Sequence, residues 1–183
     1  KAEDLYKNYK WGYQIPAELY INKARLLLRL RLYDEAERSI NDYLTIVKIP
    51  FILLEQDDHG YRIPGSGPGY FILANIYSAT GRLEKALYKY SQVGGKSELK
   101  AEAHNNRALI FIKKKSFKQA FEELNQAIII SPNLVDAHYN LGNLLIKTNG
   151  DSIKARKHLE KALKLITSQE RANRIKSLLK TLP

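Results

Sequence analysis

Val135-Asp136-Ala137-His138-Tyr139-Asn140-Leu141-Gly142-Asn143 lies 34 residues beyond Ala101-Glu102-Ala103-His104-Asn105-Asn106-Arg107-Ala108-Leu109, and Ala, His and Asn coincide at matched positions. Further along, Phe111 falls on Leu145. One extra residue near Asn149-Gly150 then shifts the register, after which Ala120 meets Ala155, Leu124 meets Leu159 and Ala127 meets Ala162. Stepping back one period from His104 gives Tyr70, with Ala74, Tyr77, Gly81, Ala86, Tyr90 and Val93 in register. Tyr20, Ala24, Leu27, Ala36, Ile40 and Tyr43 form an earlier copy, set 50 residues before its successor, so residues 51–66 read as an insertion. Ala2, Tyr6 and Tyr9 match Ala36, Ile40 and Tyr43, which makes residues 1–15 the second helix of a truncated copy.

Within each copy the apolar residues recur at i, i+3, i+4 and i+7, as in Tyr70, Leu73, Ala74 and Tyr77, the spacing of amphipathic helices. Two such helices per period make a helical hairpin. Ala74, Ala108 and Gly142 in first helices, and Ala86, Ala120 and Ala155 in second helices, are small because two backbones must approach there. Phe111 and Phe117 are expected in the core of one hairpin. A hairpin cannot bury its apolar faces alone, so copies must stack, and the last needs a cover with a polar outer side. Residues 169–183 suit that cover: Arg171, Arg174, Lys176 and Lys180 alternate with Ala172, Ile175, Leu178 and Leu179.

Composition agrees with a folded, soluble, all-α domain. Of 183 residues, 44% are apolar and 10% aromatic, too many for a disordered chain, and no apolar run reaches membrane-spanning length. There is no cysteine, which removes disulfides, thiolate metal sites and thiol nucleophiles. The chain opens on Lys1 without an apolar signal segment and reads as part of a longer or processed protein. Localisation stays open, with the lack of Cys tilting only slightly toward an exported or cell-envelope site. Net charge is +11, of which residues 147–183, with 10 basic and 3 acidic groups, supply +7.

The ordered series of a large residue, a small one, an aromatic, a small Ala, a second large residue, Ala and a closing Pro resembles the tetratricopeptide repeat over residues 1 to about 167. Ala101–Leu134, closing on Ser131-Pro132-Asn133, and the copy opening at Val135 carry the likeness best. Arg107 stands where Leu is usual, Gly94-Gly95 interrupts one second helix, and the last full copy lacks its Pro. The resemblance implies a right-handed α-solenoid of stacked hairpins with a C-terminal capping helix. Its repeats are 17–50, 67–100, 101–134 and 135–168, with 169–183 as the cap.

The family's usual work is to hold a peptide or partner protein on the concave face of its first helices, without catalysis, as a scaffold or adaptor within a larger assembly. The positions that face the groove in relatives are the sixth, ninth and thirteenth of each copy. Here they give Asn22, Arg25 and Arg29; Asn75, with Ile72 and Ala79; Asn106 and Lys113, with Leu109; and Asn140, Asn143 and Lys147. Amides both donate and accept, so an Asn ladder can hold an extended peptide by its backbone. The alternative is that these Asn bridge neighbouring helices. The Arg and Lys positions favour an acidic segment. The carboxylate-holding set of chaperone-binding relatives is not met, because Ile21 and Phe71 stand where Lys is needed.

An enzyme needs a nucleophile, a base and a group that orients them, and the sequence presents none; no cofactor or metal is expected. His104 and His138, one period apart, read as interhelical contacts, and Asp57-Asp58-His59 is too contiguous to converge on one ion. Gly65–Gly69 lacks the Lys-Ser/Thr of a phosphate-binding loop. The competing reading is nucleic acid or an anionic surface bound by the basic C-terminal region, with Lys113-Lys114-Lys115 as a second basic run, but most of the 12 Tyr are committed to repeat positions. A truncated first unit would leave an apolar helix face open to self-association.

Overall fold

The computed structural model describes residues 17–48, 67–94 and 97–182. Two compact units divide the chain, residues 1–95 and 96–183. The truncated copy at 1–15, the insertion at 51–66 with Asp57, Asp58 and His59, and Pro183 lie outside the described residues. Among those described there are nine helices and no strand.

The N-terminal unit contains α1 (Ala17–Arg29), α2 (Tyr33–Lys48), α3 (Gly67–Ala79) and α4 (Leu83–Ser91). α1 packs on α2 and α3 on α4 as hairpins, and α3 also packs on both α1 and α2. Their shared core holds Ile21, Ala24, Ala36, Ile40, Tyr43, Leu44, Ile72, Leu73 and Ile76. Tyr43, fully buried, is the large member of a close contact: a Cβ on Gly69 would lie 2.7 Å from its ring. The equivalent repeat positions at the junction of the third and fourth repeats are Ala127 and Ala137, both fully buried, so the volume absent at Gly69 goes with a larger side chain at Tyr43.

The C-terminal unit contains α5 (Ser97–Lys113), α6 (Phe117–Ile130), α7 (Val135–Lys147), α8 (Ser152–Leu165) and α9 (Gln169–Lys180). Hairpins α5–α6 and α7–α8 stack through α6 on α7 and α5 on α7, and α9 packs on α8. α5 starts four residues before the expected boundary at Ala101, while α4 stops at Ser91 ahead of Gly94-Gly95. The small positions behave as the spacing requires: Ala74, Ala86, Ala108, Ala120 and Ala155 are wholly buried. Phe111 is buried, whereas Phe117 is only half-buried, with Lys147 Nζ 5.8 Å from its ring centre, because it opens α6 at the end of the hairpin. Ala172 and Ile175 bury the inner face of α9, and Arg156 donates to the Leu182 carbonyl at 3.0 Å, so the cap is held along that face and just beyond its C-terminal end.

Each hairpin turns by one device. Arg31, Gly81, Lys115 and Asn149 occupy the left-handed region, with φ of 60°, 77°, 60° and 49°. The amide after each bonds a carbonyl five residues back, Leu32 to Leu27, Arg82 to Tyr77, Ser116 to Phe111 and Gly150 to Leu145, at 2.8 to 2.9 Å. That pairing satisfies the orphan carbonyls of the first helix and reverses the chain. The extra residue of the last repeat falls in this turn, just before Asp151, whose carboxylate accepts from the Lys154 amide at 2.9 Å and caps α8. This backbone bond holds the Asp151 carboxyl below its usual range.

Candidate partner-binding face

The face of interest consists of the first helices of the hairpins. In the N-terminal unit α1 presents Asn22, Arg25 and Arg29, all exposed. Leu19 and Leu26 are also exposed on α1, and Leu30 just beyond its end. Asn75 on α3 is half-buried and accepts from the Tyr90 hydroxyl of α4, while Ile72 is buried. Arg82 ties this unit together, donating to Glu37 at 2.7 Å and to Thr80 at 2.9 Å with its guanidinium 4.4 Å from the Tyr77 ring centre. Burial first, and then Glu37, raise the Tyr77 phenol.

In the C-terminal unit, Glu102, Asn106, Leu109 and Lys113 recur at i, i+4, i+7 and i+11 along α5, and Asp136, Asn140, Asn143 and Lys147 do the same along α7. Two short turns separate α5 from α7, so the helices run in the same direction and the two stripes lie side by side. Each begins with an acid, passes through amides or Leu109, and ends with Lys. Asn140 Nδ2 donates to Asn105 Oδ1 at 2.8 Å, and Asn105 Nδ2 donates to Asn106 Oδ1 at 3.3 Å. Asn140 therefore bridges neighbouring helices, while Asn143, Lys113 and Lys147 remain exposed. Asn105, 5% exposed, was not among the sequence candidates, and its only signal is the Asn105-Asn106 doublet. At the acidic end, Asp136 is engaged by Arg171 of α9.

Behind the stripes, the hairpins are held by polar contacts. Glu123 of α6 accepts from Arg107 at 2.9 Å and meets His104 Nδ1 at 2.7 Å. Arg107, at a position where an apolar residue is usual, is accommodated because Glu123 supplies the opposite charge. His138 Nδ1 faces His158 Nδ1 at 2.9 Å, and His138 Nε2 meets the Pro132 carbonyl at 3.0 Å. Both period-related histidines are thus interhelical contacts. On the back of α8, Lys154, Lys157, Lys161 and Lys164 share one stripe, beside Glu160. No group of three or more His, Asp or Glu that could hold a metal occurs among the described residues, and no described helix is long and apolar enough to cross a membrane.

Paired helices stacked with a small-residue seam every period, closed by a helical cap, define an all-α solenoid of repeated hairpins. Residues 108–149 match the family model described as TPR repeat, and residues 135–168 match the one described as Tetratricopeptide repeat. Residues 108–168 are thus matched as tetratricopeptide repeats. Among solved structures, BtubC from P. vanneervenii is similar at a TM-score of 0.70 and 20% identity, covering 97% of this chain and 78% of that one. The structure titled APC/C hetero-tetramer Cut9-Hcn1 gives 0.67 at 14% identity, over 92% of this chain but only 30% of its own length. PilF of Pseudomonas aeruginosa gives 0.63 at 19% identity, covering 90% of this chain and 75% of that one. These likenesses concern the fold. No curated protein matches the sequence.

Proposed function

We propose that the first-helix face of the C-terminal unit receives an extended, acidic segment of a partner protein, with Lys113 and Lys147 as its anion-binding subsite and Asn143 as a backbone contact. The chain has the architecture of a protein–protein interaction scaffold, and the proposal concerns what that scaffold holds. The observation that carries it is the side-by-side register of the two stripes, fixed by the Asn140 to Asn105 bond. Adjacent packed helices stand about 9 Å apart. Carboxylates three residues apart on a polyproline-II segment lie on the same side and are separated by about 9 Å, so a segment with acids at i and i+3 matches the two lysines.

Asn106 and Asn140 serve here as the spacers that hold the register, with their amides already occupied by Asn105. In the N-terminal unit Asn22, Arg25 and Arg29 offer the same order of amide then cations and extend the reading to a second segment of the partner. The chain acts without catalysis, as an adaptor in a larger assembly. Affinity capture with the wild type beside a Lys113→Glu, Lys147→Glu double variant tests the proposal. The partner should be lost from the variant at unchanged helicity, and equal recovery by both would refute it.

A further inference from the structure

The contact between His138 and His158 is unusual in being made of two imidazoles. Their ring centres are 5.2 Å apart and their planes inclined by 30°. The centres exceed the 2.9 Å between nitrogens by about the reach of both rings, so the rings meet end to end, each directing Nδ1 at the other. His138 Nε2 donates to Pro132, which fixes a proton there. In the neutral pair His138 Nδ1 consequently accepts, and His158 Nδ1 donates. One added proton leaves a donor facing an acceptor. A second places N–H against N–H at hydrogen-bond distance, with two positive charges.

We propose that His138 and His158 form a proton-sharing latch that holds the α7–α8 hairpin closed and releases it when both rings become charged. The surroundings supply little to offset a second charge. On α8 the neighbours are Lys154, Lys157 and Lys161 with exposed Glu160; on α7, Asp136 is held by Arg171 of α9. Glu170 of α9 pairs with Arg174, Glu123 of α6 is taken by His104 and Arg107, and Glu122 of α6 and Glu98 and Glu102 of α5 are exposed. His138 is 6% exposed, so water cannot solvate the added charge without the hairpin opening.

The preceding hairpin provides an internal control. His104 lies one period before His138, and Glu123 lies 35 residues before His158, so the same junction there joins imidazole to carboxylate. Protonation strengthens that pair and breaks the other. Burial first, then His138 and Lys157, hold the His158 imidazole below its ordinary range. A folded value below the unfolded one gives stability that is complete above about pH 6.5 and lost as pH falls through the folded value.

Residue-resolved amide hydrogen exchange on the full chain at about pH 7 and about pH 5, corrected for intrinsic rates, tests the latch. Protection in α7–α8 should fall roughly tenfold relative to α5–α6 if the second protonation is depressed by about one unit, and by at most about thirtyfold, the limit set by the roughly 1.5 units between the unfolded value and pH 5. His158→Gln should abolish this difference, and His158→Glu, which copies Glu123, should reverse it. Equal loss of protection in both hairpins, or an acid response in His158→Gln as large as in the wild type, would overturn the proposal. The wild-type and His158→Gln comparison suffices even where His158→Glu does not fold.

Discussion

Leu159 of α8 fills the space that a side chain on Gly142 of α7 would need: a Cβ there would stand 2.7 Å from Leu159 Cγ and 3.1 Å from the Ala155 carbonyl oxygen. Both neighbours are fully buried and one is backbone, so neither can give way cheaply. Gly142→Ala gains about 1 kcal/mol in helix propensity but must push the helices apart, at about 1–3 kcal/mol. Thermal unfolding should show a net loss of stability, made larger by Gly142→Val; a more stable Gly142→Ala would contradict the seam.

The left-handed turns make the opposite kind of prediction. Gly81 adopts its positive φ freely, whereas Lys115 and Arg31 carry a side chain in the same conformation. Lys115→Gly should stabilise the C-terminal unit by about 0.5–1 kcal/mol, measured by denaturant unfolding. Gly81→Ala should destabilise the other unit by a similar amount although nothing lies within 4 Å of its added methyl group. Loss of stability in Lys115→Gly would show that its side chain does more than endure the turn.

Glu123 pairs with Arg107 and meets His104, both of α5, and removing it strands both. Glu123→Ala should cost about 2 kcal/mol, between the values for exposed and buried pairs. Restoring the usual apolar residue with Arg107→Leu in the same chain should recover part of that loss. A double-mutant cycle on Glu123 and Arg107 reads this coupling directly, and strict additivity would show that the pair contributes nothing.

The repeat was legible because small residues every 34 positions report helix contacts through steric volume, and Ala108, Ala120 and Ala155 are buried as that rule demands. The cap was legible for the same reason, since Ala172 and Ile175 lie on one face of α9. Polar contacts were less so. Asn140 carries the same amide whether it meets a ligand or Asn105, and only the stacking of α5 on α7 decides. His158 showed nothing beside it in sequence that would identify its partner, because His138 is brought across by the hairpin. α5 begins at Ser97, four residues ahead of the repeat boundary at Ala101, because the family period and not a capping signal defines that boundary.

Titration of the captured partner, or of its acidic segment as a peptide, into two charge-reversed proteins separates the first-helix face from the back of α8. One carries Lys113→Glu and Lys147→Glu on the first-helix face; the other carries Lys157→Glu and Lys164→Glu on the back of α8. The first should weaken binding by at least about tenfold, near 1.4 kcal/mol, and the second should leave it within about twofold. The reverse order, or equal affinity for both, would contradict the assignment of that face.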